Sequence, residues 1–308
     1  MGKIAFLFSG QGAQYTGMGK ELYENSSAAK AVFDAADRLR PGTAEQCFTA
    51  DRDTLSLTLN TQPCVYCVDL AAAEALRAAG IEPDCTAGFS LGEIAALTFS
   101  GVFSADDGFS LVCRRGQYMN DAAQNTDGAM AAVLKMKNEE VEALCGRFSQ
   151  VYPVNYNCPG QVAVAGSKEN LSAFSQAASA EGARVVPLAV SGAFHSPLMQ
   201  AAAEKLGEDL KTVSVQPPRI PVYSNHTARL YPENAEEIRS NIAMQVAHPV
   251  RWQMILEAMA ADGVDTFVEV GPGKTLSGFV KKTLKEARIY HVEDAQSLNE
   301  TITALQSI

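Results

Sequence analysis

A glycine-framed serine, Gly88-Phe89-Ser90-Leu91-Gly92, constrains this 308-residue chain more than any other stretch. It follows a short run, Cys85-Thr86-Ala87, and opens a helical pattern, Glu93-Ile94-Ala95-Ala96-Leu97. Glycines two residues either side of a serine let the chain turn sharply from strand to helix, so that the hydroxyl stands clear of the turn and faces the helix N-terminus. Ser90 reads as a nucleophile, with an ordinary tight turn as the plainer alternative for the motif on its own.

The flanking sequence predicts the layers around such an elbow. Lys3-Ile4-Ala5-Phe6-Leu7-Phe8 is continuously apolar, as a strand covered on both faces of a parallel sheet must be, and it ends in the loop Ser9-Gly10-Gln11-Gly12. Helical patterns fill residues 17–80, and two further buried strands are expected at Ile220–Ser224 and Thr266–Val270. This is an α/β architecture with a parallel sheet. Between residues 127 and 191 the rhythm changes to strand (129–136), helix (Val141, Leu144, Cys145 and Phe148 at helical spacing), two short strands (151–156 and 162–165), a helix from about Ser167 and a last strand (184–190). The order β-α-β-β-α-β is that of a ferredoxin-like unit. A small domain at 127–191 is therefore expected inside a large one made of 1–126 and 192–308, with the site in the cleft between them.

Bulk properties remove several functions. The net charge of −10 argues against a general nucleic-acid or anionic-membrane surface. No apolar run approaches the roughly 20 residues of a membrane span, and no secretory leader is recognisable, so a cytoplasmic chain is expected. The seven cysteines are expected as reduced thiols, and Cys64 and Cys67 as core residues, because no second pair or histidine stands at zinc spacing. Gly271-Pro272-Gly273-Lys274-Thr275 ends like a phosphate loop, but Val268 occupies the position of its first glycine, leaving a tight strand-to-helix turn.

A serine hydroxyl needs a base, and histidine is the usual one. Of the four histidines, His226, His248, His291 and His195, the last lies in Ser191-Gly192-Ala193-Phe194-His195-Ser196-Pro197, where the inserted unit returns to the large domain and walls the cleft. His195 is taken as the base. For the oxyanion, the elbow supplies the Leu91 amide and the Gly10-Gln11-Gly12 loop that of Gln11. On the helix expected over 104–122, Phe109, Leu111, Val112, Met119 and Ala122 share an apolar arc, and Arg115 falls inside it while Arg114 lies on the polar side. An unpaired guanidinium there is costly, so Arg115 either meets a protein carboxylate or awaits an anionic ligand, which it would clamp in bidentate fashion.

Together these segments resemble the malonyl-CoA:acyl carrier protein transacylases and the related acyltransferase domains of polyketide synthases. The likeness runs through Phe8-Ser9-Gly10-Gln11-Gly12-Ala13-Gln14, the elbow with Glu93, Arg115-Gly116, Asn155-Tyr156-Asn157-Cys158-Pro159-Gly160-Gln161, Gly192-Ala193-Phe194-His195, Gln245 before Pro249-Val250, and Glu269-Val270-Gly271-Pro272-Gly273. The resemblance implies an α/β-hydrolase-like large domain with a ferredoxin-like small one. It implies that Ser90 accepts the acyl group, His195 is the general base, Gln11 and Leu91 give the oxyanion amides, and Arg115 pairs with the free malonyl carboxylate. It further implies that the Gln245 main-chain carbonyl orients the histidine, where the residue alone would read as an exposed helix end, and that Asn157 lies near the site. Phe194 and Leu91 match the malonyl-preferring pattern. Two departures stand out: Phe89 where the family commonly has histidine, and Ser9 where proline is frequent.

The expected activity is ping-pong transfer of malonyl from malonyl-CoA, through a malonyl-serine, to the phosphopantetheine thiol of acyl carrier protein, supplying fatty-acid or polyketide synthesis. No metal or redox cofactor is expected, nor a nucleic-acid or membrane partner, and the chain is expected to be a monomer. Lys281, Lys282 and Lys285 are the candidate docking patch for the acidic carrier, against the reading of a solvated helix face. The competing reading is a serine thioesterase or esterase on the same elbow. Such enzymes place an acid between serine and histidine, and here the strand ends between them offer Lys137, Asn157, Gly166 and Ser191. A non-catalytic scaffold fits poorly with nucleophile, base and oxyanion loop all present.

Overall fold

The computed structural model describes residues 2–307. Nine strands form among them: β1 (Lys3–Phe8), β2 (Cys85–Gly88), β3 (Gly128–Leu134), β4 (Val151–Cys158), β5 (Gln161–Ser167), β6 (Arg184–Pro187), β7 (Val222–Tyr223), β8 (Val264–Val270) and β9 (Arg288–Val292). Five of them make a parallel sheet in the order β7-β2-β1-β8-β9. The α/β reading with a parallel core holds.

β1 sits at the centre because both of its faces are apolar. Ile4, Phe6 and Phe8 point into one core with Phe99, while Ala5 and Leu7 point into a second with Trp252 and Phe267. Burying each large side chain contributes about 1.5–3 kcal/mol, which is why a central parallel strand has no polar face. The 21-residue helix Thr58–Ala78 packs beneath the first core and is buried on almost every side, with Cys64 and Cys67 as free, buried thiols. The alignment of Phe8 with both Gly88 and Val270 brings the carboxyl ends of β1, β2 and β8 level. Their loops, Ser9–Gly12, the elbow and Gly271–Gly273, therefore open on one edge, where ligands of such sheets bind.

The second sheet has the antiparallel order β4-β5-β3-β6, with the helices Asn138–Cys145 and Lys168–Ala180 completing the chain order β-α-β-β-α-β. Its strands all lie between residues 128 and 187. β4 is stitched to the parallel unit by main-chain bonds from Tyr156 N–H to the Val250 carbonyl (2.9 Å) and from Val250 N–H to the Val154 carbonyl (2.8 Å). This fixes the antiparallel sheet over the sheet edge that carries Ser90.

Several elements differ from the sequence pattern. The strand expected at 220–224 shrinks to Val222–Tyr223, because it lies at the sheet edge, pairing with β2 on one side and following Pro221. The strand expected at 184–190 ends at Pro187, whose ring removes a ladder donor. β9 was not foreseen; its residues are half-buried at the opposite edge, so its apolar run is short. Phe148 lies past the helix end yet still packs on Phe174, 5.8 Å between ring centres. No helix among the described residues is long and apolar enough to cross a membrane.

Candidate active site

Ser90 follows β2 with φ of 56°, a left-handed backbone that a non-glycine residue holds only under tertiary constraint. The constraint is visible in the two framing glycines. A Cβ on Gly88 would overlap the Gly92 carbonyl, and a Cβ on Gly92 would overlap the carbonyls of Phe8 and Ser9. Asn225, just past β7, locks the turn further: its Oδ1 accepts from Ser90 N–H (2.8 Å) and its Nδ2 donates to the Gly88 carbonyl (2.7 Å).

The structure brings His195 to the serine. Their side chains meet at 2.7 Å, Oγ to Nε2, and His195 also holds a positive φ, 60°. Its other nitrogen, Nδ1, lies 2.9 Å from the Gln245 main-chain carbonyl. A carbonyl only accepts, so Nδ1 carries the proton and Nε2 presents its lone pair to the serine hydroxyl. Burial, with the Arg115 charge adding to it, pushes the imidazole down to about 4. His195 is neutral at physiological pH, which is the state a general base requires. No carboxylate contacts this imidazole among its hydrogen bonds; the orienting group is a main-chain carbonyl.

Arg115 lies on the helix Ala105–Gln124, capped by Ser104, and is 1% exposed. Of the two fates the sequence left open, direct pairing with a protein carboxylate is not the one found. NH1 donates to Gln62 Oε1 (2.7 Å), NH2 donates to Gln245 Oε1 (2.8 Å) and to Ser90 Oγ (3.2 Å), and Nε has no partner among the described residues. Burial lowers the guanidinium to about 10, with Glu93 opposing the shift, so it stays charged near neutrality. Arg114, by contrast, faces outward to Asp209 at 3.0 Å.

Gln245 ends the helix Ala235–Gln245 and is 1% exposed, against its bare reading as an exposed helix end. Gln11 lies in the loop after β1, its Nε2 on Thr58 Oγ1 at 3.3 Å. The main-chain N–H groups of Gln11 and Leu91 donate to no other group among the described residues. Gln11, Phe89, Ser90, Met130, Phe194 and His195 help enclose a cavity of about 80 Å³. A neighbouring cavity of about 230 Å³ shares Gln11, Phe89, Asn155 and Leu188 with it and adds Asn157, Gln161 and Phe279. Both lie between strands of the antiparallel sheet and the loops that follow β1 and β2. Asn155 and Asn157 are buried, and neither Oδ1 has a partner among the described residues. Phe89 is part of an aromatic wall, edge-on to Trp252 at 5.4 Å and tilted to Phe279 at 6.2 Å. Ser9 is buried and its hydroxyl donates to the Pro272 carbonyl at 3.2 Å.

Lys281, Lys282 and Lys285 are exposed, but the helix is Thr275–Thr283, so Lys285 lies past its end rather than on its face. The other histidines make their contacts elsewhere: His226 and His248 meet edge to face at 4.7 Å, and His291 lies 3.7 Å from Glu293. Three site residues escaped the sequence reading, Gln62, Asn225 and Tyr231, and Glu93 was read there as part of the elbow motif without a role of its own. Glu93 alone left a signal, a single charge in the otherwise apolar helix Gly92–Phe99.

An elbow serine bonded to a neutral histidine, beside a buried guanidinium, is the arrangement of a serine enzyme that forms acyl esters. Residues 5–303 match the acyl transferase domain family. The malonyl CoA-acyl carrier protein transacylase of Bacillus subtilis is 41% identical over 99% of this chain and 98% of its own. The crystal structure of the enzyme of that name from Clostridium perfringens is 38% identical, with a TM-score of 0.95, covering 99% of this chain and 98% of that one. A malonyl-transacylase solved in complex with a type II PKS acyl-carrier protein is 34% identical, with a TM-score of 0.94, covering 99% and 100%. The chain belongs to the acyl transferase family, and within it to the malonyl CoA-acyl carrier protein transacylases.

Proposed function

We propose that this chain moves malonyl from coenzyme A to acyl carrier protein by two passes over one serine. In the first, Ser90 Oγ–H gives its proton to His195 Nε2 as the oxygen attacks the thioester carbonyl. The developing oxyanion is met by the Gln11 and Leu91 amides, at the N-terminus of the elbow helix. The carbon–sulfur bond breaks, His195 returns its proton to the CoA sulfur, and a malonyl ester remains. In the second, the carrier's phosphopantetheine thiol gives its proton to His195 and attacks the ester carbonyl, the bond to Ser90 Oγ breaks, and His195 passes the proton to that oxygen, restoring the serine. The steps use side chains and main-chain amides alone.

The observation that carries the reading is the position of Arg115. On its Nε edge, one N–H is unpartnered among the described residues and the adjacent NH2 group donates to the very oxygen that becomes the ester. That edge is the fork a carboxylate takes in bidentate fashion. An acyl group ending in a carboxylate one methylene from its carbonyl places both ends where Ser90 and Arg115 wait. The free Oδ1 atoms of Asn155 and Asn157 suit the amide N–H groups of a pantetheine arm threading the larger cavity.

The lysine patch is the proposed carrier-docking surface. Lys282 Nζ donates to Gln161 Oε1 (3.1 Å), and Gln161 lines the larger cavity, so the cations border its mouth. The reading carries with it a cytoplasmic enzyme, taken as a monomer, in fatty-acid or polyketide synthesis. Ser90→Ala should lose transfer while keeping the fold; retained transfer would remove Ser90 from its role. The hydrolase reading is less well supported, since among the described residues the group that orients His195 is a main-chain carbonyl and not a carboxylate.

A further inference from the structure

Glu93 is a buried carboxylate of the site that the two-step chemistry leaves unused. It is 1% exposed, and every hydrogen bond to its carboxylate comes from a donor. Oε1 accepts from Asn225 N–H (2.8 Å) and Tyr231 O–H (3.0 Å), and Oε2 accepts from Gln245 Nε2 (2.6 Å). Gln245 is itself a junction. Its Nε2 also donates to the Ser90 carbonyl (2.7 Å), and its Oε1 accepts from Arg115 (2.8 Å). A carboxamide can turn over and exchange its donor and acceptor ends, so something must fix which end faces the guanidinium. Glu93 and the Ser90 carbonyl, both acceptors, lie on one side of it.

We propose that Glu93 is a positioning residue for acyl selectivity. In its ionised, acceptor-only form it holds the Gln245 amide with Oε1 toward Arg115, and so aims the guanidinium at a carboxylate-bearing acyl group. The inference rests on Arg115 holding that carboxylate. The polarity runs in one direction along the chain Glu93, Gln245, Arg115, with each link a donor meeting an acceptor. A glutamine at 93 breaks it. The main-chain N–H of Asn225 cannot turn, so the new side chain keeps its oxygen there and puts its NH2 against Gln245 Nε2. Gln245 then turns over, its NH2 meets Arg115, and two donors face each other.

The experiment measures self-acylation, read as CoA release, with malonyl-CoA and with acetyl-CoA, for the native enzyme, Glu93→Gln and Glu93→Asp. Glu93→Gln should lower kcat/KM for malonyl loading by about 10- to 100-fold, the worth of a lost charge-assisted bond, with acetyl loading changed less than about threefold. Glu93→Asp, still an acceptor, should keep the malonyl preference. Equal losses for both acyl groups in Glu93→Gln would make Glu93 a mere support of the elbow and overturn the proposal. So would an unchanged preference. If the glutamine variant does not fold, the aspartate variant decides, since a folded Glu93→Asp enzyme without malonyl preference refutes the idea and one that retains it supports it. Arg115→Ala in the same assay separates the two levels: if it too leaves the preference intact, the carboxylate assignment itself fails, and if it abolishes the preference while Glu93→Gln does not, only the positioning role falls.

Discussion

Replacing Arg115 by alanine tests the link between burial and substrate choice. The guanidinium is 1% exposed and anchored at 2.7 Å and 2.8 Å by Gln62 and Gln245. A carboxylate that pairs with so buried a guanidinium is itself desolvated, and removing one partner of such a buried pair costs about 3–5 kcal/mol. That corresponds to roughly 2 × 10²- to 5 × 10³-fold in kcat/KM for malonyl loading. Acetyl forms no such pair, so its loading should change by less than about fivefold. The substitution also orphans Gln62 Oε1 and Gln245 Oε1, at about 1–3 kcal/mol each before water enters, so the melting temperature should fall. Single-turnover CoA release with each thioester, beside a thermal melt, separates selectivity from stability. A parallel loss for both acyl groups would refute the role given to Arg115, as would an unaltered malonyl preference.

Three further outcomes are expected. In acetyl loading, kcat/KM should stay flat as pH falls past 6.5 and drop only toward about 4, because burial and Arg115 depress His195; malonyl loading should show an added fall near 7 as Glu93, which faces Arg115 of the helix Ala105–Gln124 and Tyr231 of the loop after β7, takes a proton. A single limb near 6.5 for both would contradict this. Asp69 is fully buried over Gly271, with neither carboxylate oxygen partnered among the described residues, and burial raises its carboxyl well above the usual range. The stability it contributes below its unfolded value of about 3.9 is lost as pH rises, so Asp69→Asn should stabilise the fold at pH 8 by about 1–3 kcal/mol, and by less near pH 5, in urea titrations; a destabilised variant at pH 8 would reverse the sign of the argument. Charge reversal at Lys281, Lys282 and Lys285 should lower kcat/KM for the carrier by about tenfold at low salt and leave CoA-side loading alone, and an equal loss on both sides would count against docking there.

Much of this site could be read from the sequence because its chemistry is carried by local patterns. The elbow glycines stand in a five-residue pattern around the serine, Gly88 pressed by the Gly92 main chain and Gly92 by the carbonyls of Phe8 and Ser9, and Arg115 betrays itself by a charge on an apolar helical arc. The central strand is legible for the same reason, since both of its faces must be apolar. What escaped depends on distant partners. Asn225, 135 residues from Ser90, looks like any asparagine after a strand, and Gln62 hides in a helix whose every face is buried. Gln245 was placed by resemblance for its carbonyl, while its side chain, which ties Ser90, Glu93 and Arg115 together, leaves no mark in spacing. The edge strands β7 and β9 were misjudged because an edge has fewer neighbours to impose a pattern.

The account turns on Ser90 holding the acyl group between donor and acceptor, and intact-protein mass spectrometry with peptide mapping tests it most directly. Incubated with malonyl-CoA alone, the enzyme should gain one malonyl group on the peptide bearing Ser90. The adduct should persist until carrier protein with a free phosphopantetheine thiol is added, and then pass to the carrier. An adduct on another residue, no adduct at all, or release of free malonate at the rate of CoA release would contradict the mechanism.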